Sequence, residues 1–168
     1  MDRRRHLASC AGLLATACTG GMILSGCSSR ESAPDVAITL LDGSSHAVTA
    51  QKGKVTLVNF WATSCTSCVK EMPELVSTFE KYKGQGYQTY AVAMSYDTPA
   101  FVSNFAQTRQ LPFHVAMDSS GAVAKAFGDV RLTPTSILID KQGRIVKRYV
   151  GPPDFAALHK QIEELLAA

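Results

Sequence analysis

Apolar and polar positions repeat with two different periods along this chain, and the switches between them mark its elements. "DVAITLLDGSSHAVTA" holds two short apolar runs around Asp42-Gly43, the pattern of a hairpin. "KVTLVNFW" is β-branched and apolar almost throughout, which predicts a strand buried on both faces. From Thr66 to about Lys83 the period becomes helical, with Val69, Met72, Val76, Phe79 and Tyr82 at three- and four-residue steps. Pro73 lies inside that pattern and predicts a kink or a break in the helix hydrogen bonding. "YQTYAVAM" is the next strand. "TPAFVSNFAQTRQ" reads as a helix with Thr98 as N-cap and Pro99 in its first position.

The second half continues in the same way. "LPFHVAMD" predicts a short strand and "SSGAVAKAFG" a short helix closed by Gly128. "TSILID" and "RIVKRYV" flank a turn at "KQG" as an antiparallel pair. Phe155, Leu158, Ile162 and Leu165 give the last segment one apolar helical face. The order is βββαβαβαββα, which predicts an α/β fold with a mixed sheet and helices on both faces. No internal repeat interrupts it.

The first 26 residues do not fit this scheme. "MDRRRH" is basic, and "LASCAGLLATACTGGMIL" is an uncharged, weakly apolar stretch of small residues, the layout of an export signal. "LSGC" at residues 24–27 and the polar segment "SSRESAPD" follow. Leu, two small residues and Cys resemble the lipobox of bacterial lipoproteins. That resemblance implies cleavage before Cys27, lipidation of its thiol and amine, and a tether over residues 27–34. Several acyl chains hold a protein on a membrane stably. The folded domain then spans residues 35–168.

Charge removes one class of partner. The chain has 17 Lys+Arg against 14 Asp+Glu, and without residues 1–26 the counts are 14 and 13. So even a balance offers no clustered basic face for nucleic acid.

Of five cysteines, Cys10 and Cys18 fall in the signal and Cys27 is taken by lipid, leaving Cys65 and Cys68 in the domain. A zinc site needs about four ligands, and His46, His114 and His159 are scattered without paired spacing. A structural bond closing so short a loop restricts the unfolded chain little. The reading retained is a redox couple. Disulfide exchange needs one thiolate that attacks and a second thiol that resolves the mixed disulfide. Cys65, where strand gives way to helix, has free first-turn amides and the positive end of the helix dipole near its sulfur. Both lower a thiol pKa, from roughly 8.5 into a range of about 3.5 to 7.5. Cys65 is read as the nucleophile and Cys68, one turn on, as the resolving thiol.

"VTLVNFWATSCTSCVKEMPEL" and "LTPTSILIDKQGRIV" together resemble thioredoxin-fold proteins of the TlpA/ResA type. That family's members are membrane-tethered thiol–disulfide proteins of the bacterial periplasm or its equivalent. The likeness covers about Pro34 to Leu166. It implies a thioredoxin fold with an N-terminal β-hairpin, "AITLLDGSSHAVTA", and a central βα insertion, "SYDTPAFVSNFAQTRQLPFHV". It also implies a cis Thr133–Pro134 bond beside the cysteines, with the Thr133 backbone free to pair with substrate like an added strand. Glu71, three residues after Cys68, matches a carboxylate that exchanges protons with the cysteine pair. Asn59 stands where cytoplasmic thioredoxins carry a buried Asp. Trp61 is expected beside the site, as a substrate contact or as plain core.

Three positions depart from the family. Ser64 replaces a usual Trp, Ser67 a frequent Pro, and Leu132 a common Gly. The first two bear on redox potential and partner choice.

The function implied is a protein disulfide reductase of exported proteins, fed by a membrane electron donor. Its substrates include, by the same resemblance, the haem-binding cysteines of apocytochrome c. No cofactor beyond the Cys65–Cys68 pair, no resident metal and a monomeric, lipid-anchored state on the periplasmic side of a bacterial membrane complete the expectation. A disulfide-forming oxidant is the alternative direction. A copper-handling protein is the alternative class, with His114 as its loose distal ligand. Thiol peroxidases place Thr or Ser at the position of Ala62, which speaks against that neighbour of the fold.

Overall fold

The computed structural model describes residues 30–168. The export segment 1–26 and Cys27, with its proposed lipid, lie outside the described residues.

The hairpin forms as expected: β1 (Ala37–Thr39) and β2 (Ser45–Ala47) pair antiparallel, Ile38 opposite His46. Gly43 takes φ 84° in the turn, a backbone region open to glycine at little cost. Asp42 accepts the Ser44 N–H at 2.8 Å and so closes the turn.

β3 (Val55–Trp61) is buried along its whole length and leads into α1 (Thr66–Tyr82). β4 (Tyr87–Ala93) returns parallel to β3, with Trp61 opposite Ala93. α2 (Pro99–Thr108) and β5 (His114–Met117) follow as the expected insertion. α3 (Ala122–Ala126), β6 (Thr135–Ile139), β7 (Ile145–Val150) and α4 (Phe155–Ala167) complete the chain. The five-stranded sheet runs β5-β4-β3-β6-β7. It is parallel through β3–β4–β5 and antiparallel through β3–β6–β7.

The period of two along β3 sorts its side chains into two cores. Val58 and Phe60 face the hairpin and α3, with Ile38, Tyr90, Phe127 and Ile137. Leu57 and Trp61 face the other helices, with Cys68, Met72, Leu75, Leu158 and Ile162. Asn59 shares the second face, since its side chain bonds Glu71 of α1.

Two local expectations hold, each with a detail that the pattern did not carry. α1 runs unbroken through Pro73. Pro73 is exposed, and having no N–H it removes the bond that the Val69 carbonyl would otherwise accept. Thr98 occupies the N-cap of α2, but its side chain makes no capping bond. Asp97 accepts the Thr98 N–H instead, at 2.8 Å.

Candidate active site

The sulfur of Cys65 does what an N-cap oxygen usually does. Cys65 has extended backbone angles, φ −88° and ψ 104°. Its Sγ accepts the Cys68 N–H at 3.2 Å, and the Ser67 hydroxyl lies 3.4 Å away. The first turn of a helix has amides with no internal partner, and here one of them is aimed at sulfur. Cys65 and Cys68 are joined in a disulfide, Cα to Cα 5.3 Å. Cys65 is half-buried, whereas Cys68 is fully enclosed. An incoming group therefore meets the Cys65 sulfur first.

Beside the disulfide lies a buried polar layer. Glu71 is on the same buried face of α1 as Cys68 and is 4% exposed. Asn59 Nδ2 donates to Glu71 Oε1 at 2.9 Å and to Ser136 Oγ at 2.9 Å. Asn59 and Ser136 are register partners on β3 and β6, which is why one amide reaches both. Burial pushes the Glu71 carboxyl up to about 7, against the opposing pull of the Asn59 hydrogen bond. Glu71 Oε2, Asn59 Oδ1 and Trp61 Nε1 have no hydrogen-bond partner among the described residues.

The loop that delivers Cys65 is strapped from β4's end. Met94 N–H donates to the Trp61 carbonyl at 3.0 Å and extends the parallel pairing past the strands. This brings Asp97 to Thr63, whose backbone N–H and hydroxyl both donate to its carboxylate, at 2.6 and 2.7 Å. The neighbouring Tyr96 places its hydroxyl 3.3 Å from Thr133 Oγ1. Asp97 and Tyr96 thus tie the cysteine loop to the loop before β6. Neither stood out in the sequence beyond a polar run ahead of a helix.

The Thr133–Pro134 peptide bond is cis. Thr133 is half-buried and Pro134 buried, and the Pro134 carbonyl accepts the Gly151 N–H at 2.8 Å. Of the two readings of Trp61, substrate contact or plain core, the structure has the second. It is fully enclosed, and its ring packs on Phe105 at 5.1 Å. It is part of the core beside Cys68 and Met72.

The histidines also differ from their reading as scattered residues. His46 and His114 sit with ring centroids 5.0 Å apart. His114 stacks on Tyr90 at 4.8 Å, and the Tyr90 hydroxyl is 2.9 Å from His46 Nδ1. Tyr90 belongs to the core on the hairpin side of the sheet, opposite to that of Cys68. His114 is therefore turned away from the cysteines, and the copper alternative loses its distal ligand. Among the described residues no three His, Cys, Asp or Glu are grouped to hold a metal.

A disulfide with one accessible sulfur, an acid held near neutrality beside it and a cis proline in a loop strapped to its own place the protein among thioredoxin-fold oxidoreductases. The comparisons with known proteins define the family more closely. The Redoxin family model matches residues 28–164. The thiol-disulfide oxidoreductase ResA of Bacillus thuringiensis is 37% identical over 134 residues, covering 80% of this chain and 74% of that one. The solution structure of a thioredoxin-like protein of Neisseria meningitidis is 40% identical with a TM-score of 0.76, covering 83% and 92% of the two chains. A thiol:disulfide interchange protein of Chlorobium tepidum is 26% identical with a TM-score of 0.74, covering 82% and 97%. The chain belongs to the Redoxin family and is a thiol–disulfide oxidoreductase similar to ResA.

Proposed function

We propose that this oxidoreductase works outside the cytoplasm as a reductase, anchored to a membrane through a lipid on Cys27. Reduced Cys65, as thiolate, attacks one sulfur of a substrate disulfide and expels the other as a thiolate. Cys68 then loses its proton to Glu71 and attacks the Cys65 sulfur. The second substrate thiol leaves, the Cys65–Cys68 bond forms, and two electrons have passed to the substrate. A membrane electron donor restores the dithiol. Glu71, Thr133 and Pro134 complete the working set, the Thr133 backbone pairing with the substrate segment. Exported proteins are the substrates, apocytochrome c cysteines among them, and the protein acts as a monomer without a further cofactor.

The observation that carries the direction is the placement of Glu71. A strong oxidant is one whose reduced form is stabilised. Here the Cys65 sulfur receives one backbone amide and one hydroxyl, while a buried carboxyl lies beside the pair. As Glu71 ionises it opposes a second negative charge on sulfur, and so leaves the dithiol ready to give up its electrons. The test is the reduction potential of the full chain in detergent, equilibrated against a graded thiol buffer. A value of about −270 mV or lower fits a reductase, whereas about −120 mV would make the protein a disulfide donor.

A further inference from the structure

The first described residues are held at one end of the molecule. Ser32 bridges Arg144 in the turn between β6 and β7. The Ala33 N–H donates to the Gly143 carbonyl at 2.8 Å, and the Ile145 N–H to the Glu31 carbonyl at 2.7 Å. Arg30 reaches Asp140, 3.5 Å away. The same turn packs on the segment before β3. There the Gly53 N–H donates to the Lys141 carbonyl at 2.7 Å, and the Lys52 side chain passes 3.9 Å from where a Cβ on Gly143 would stand.

β3 runs from this end to the opposite one, where Cys65 follows it. Seven residues at about 3.3 Å each put roughly 20 Å between Val55 and Trp61. Cys27 is joined to Arg30 through Ser28 and Ser29 alone, a reach of at most about 11 Å. A lipid on Cys27 therefore brings the Arg30 end to the membrane and turns the cysteines away from it.

Cations gather at that end. Arg30, Lys52, Lys54 and Arg144 are exposed there, and Lys141 is half-buried beside them. Most of the neighbouring carboxylates are engaged. Asp140 is buried and shared by Arg30 and Arg144, and Glu31 meets Arg148. Asp35 accepts the Thr49 hydroxyl at 2.6 Å. Glu164 is a further acid, two residues before the Leu166 carbonyl that takes Lys141 Nζ. Lys52 and Lys54 have no carboxylate partner among the described residues. We propose that this end, with Lys52 and Lys54 as its unpaired cations, is a docking surface for anionic phospholipid headgroups of the membrane that holds the chain. This rests on the lipid anchor assigned to Cys27.

Each basic residue near an anionic surface strengthens the attraction about fivefold. So few charges would hold a free protein poorly, but a tethered one meets the surface at high effective concentration. The contact then selects an orientation. The domain stands on its basic end, with the disulfide roughly 20 Å further out.

The test uses the full chain, purified from membranes and reconstituted into vesicles of phosphatidylcholine, alone or mixed with phosphatidylglycerol. Intact mass and flotation with the neutral vesicles are read first and test the anchor by itself. Lysines are then labelled with a limiting amine-reactive ester, and mass spectrometry gives the rate at each. Lys52 and Lys54 should label about fivefold more slowly on the anionic vesicles, while Lys70, two residues after Cys68, should not differ. The difference should vanish in about 1 M salt, where charges are screened within about 3 Å. In Lys52→Gln/Lys54→Gln, which alters only exposed side chains, Lys141 should label alike on both vesicles. Equal rates at Lys52 and Lys54 on the two vesicles overturn the proposal, as does slowing that survives the salt or that is shared by Lys70. A chain whose mass shows no lipid overturns the anchor, and the surface falls with it.

Discussion

Glu71 offers the most direct test of the buried layer beside the disulfide. Its carboxyl is 4% exposed and is pushed from the ordinary 4.5 up to about 7. At roughly 1.4 kcal/mol per pH unit, that gap corresponds to about 3 kcal/mol. The sign follows from the direction. A carboxyl whose folded value is raised favours the folded state most at pH below its unfolded value, where it is neutral in both states. Between about 4.5 and 7 the unfolded chain ionises first, so stability is lost as pH rises through the folded value. Glu71→Gln removes the ionisation, keeps an acceptor for Asn59 and places an amide donor where Oε2 has no partner. Oxidised wild type and Glu71→Gln are unfolded in urea at pH 4 and pH 8, followed by the fluorescence of Trp61, the only tryptophan. The variant should gain on the wild type by about 3 kcal/mol between the two pH values. A stability difference that stays flat with pH would show that Glu71 ionises normally in the folded protein, and the burial account would be wrong.

Cys68→Ser leaves Cys65 without a resolving thiol, so a mixed disulfide with substrate should accumulate on non-reducing gels, while Cys65→Ser should form none. Asp97→Ala removes the acceptor of both Thr63 bonds and of the Thr98 N–H. It should cost about 1–3 kcal/mol in urea unfolding and slow disulfide exchange in stopped flow. Leu158→Ala opens a cavity at a fully buried position, which should lower stability by about 2–5 kcal/mol by calorimetry without moving the reduction potential. Cys27→Ser removes the thiol proposed to take lipid, so it should keep its first 26 residues, and mass spectrometry of the purified chain reads this directly.

What the sequence disclosed was local, and what it concealed depended on register. The two cysteines, the helix after them and the strand before them are contiguous, so their periods and spacing sufficed. Asp97 is 34 residues from Thr63. Its part becomes visible only when Trp61 and Ala93 are set side by side and the pairing runs on to Met94. The His46–Tyr90–His114 stack is of the same kind, because β2, β4 and β5 each supply one ring. Asn59 is visible as a polar residue in an apolar run, but its second bond needs Ser136 opposite it on β6. Trp61 could not be settled from the pattern, since a strand buried on both faces gives no polar alternation to show which side chain looks outward.

An amide, Asn59, rather than a second acid lies 2.9 Å from Glu71. Two carboxyls that close in a buried site cannot both ionise, and the pair would share its titration over two separated steps. With Asn59 present, one acid remains, and its single proton comes and goes near pH 7. The amide also fixes where that proton resides, because Nδ2 already occupies Oε1 and leaves Oε2 as the site for it. Burial alone would raise any carboxyl, and the Asn59 bond alone would lower it. Acting together they bring the Glu71 carboxyl to about 7, the condition that the proton transfer proposed for Cys68 requires.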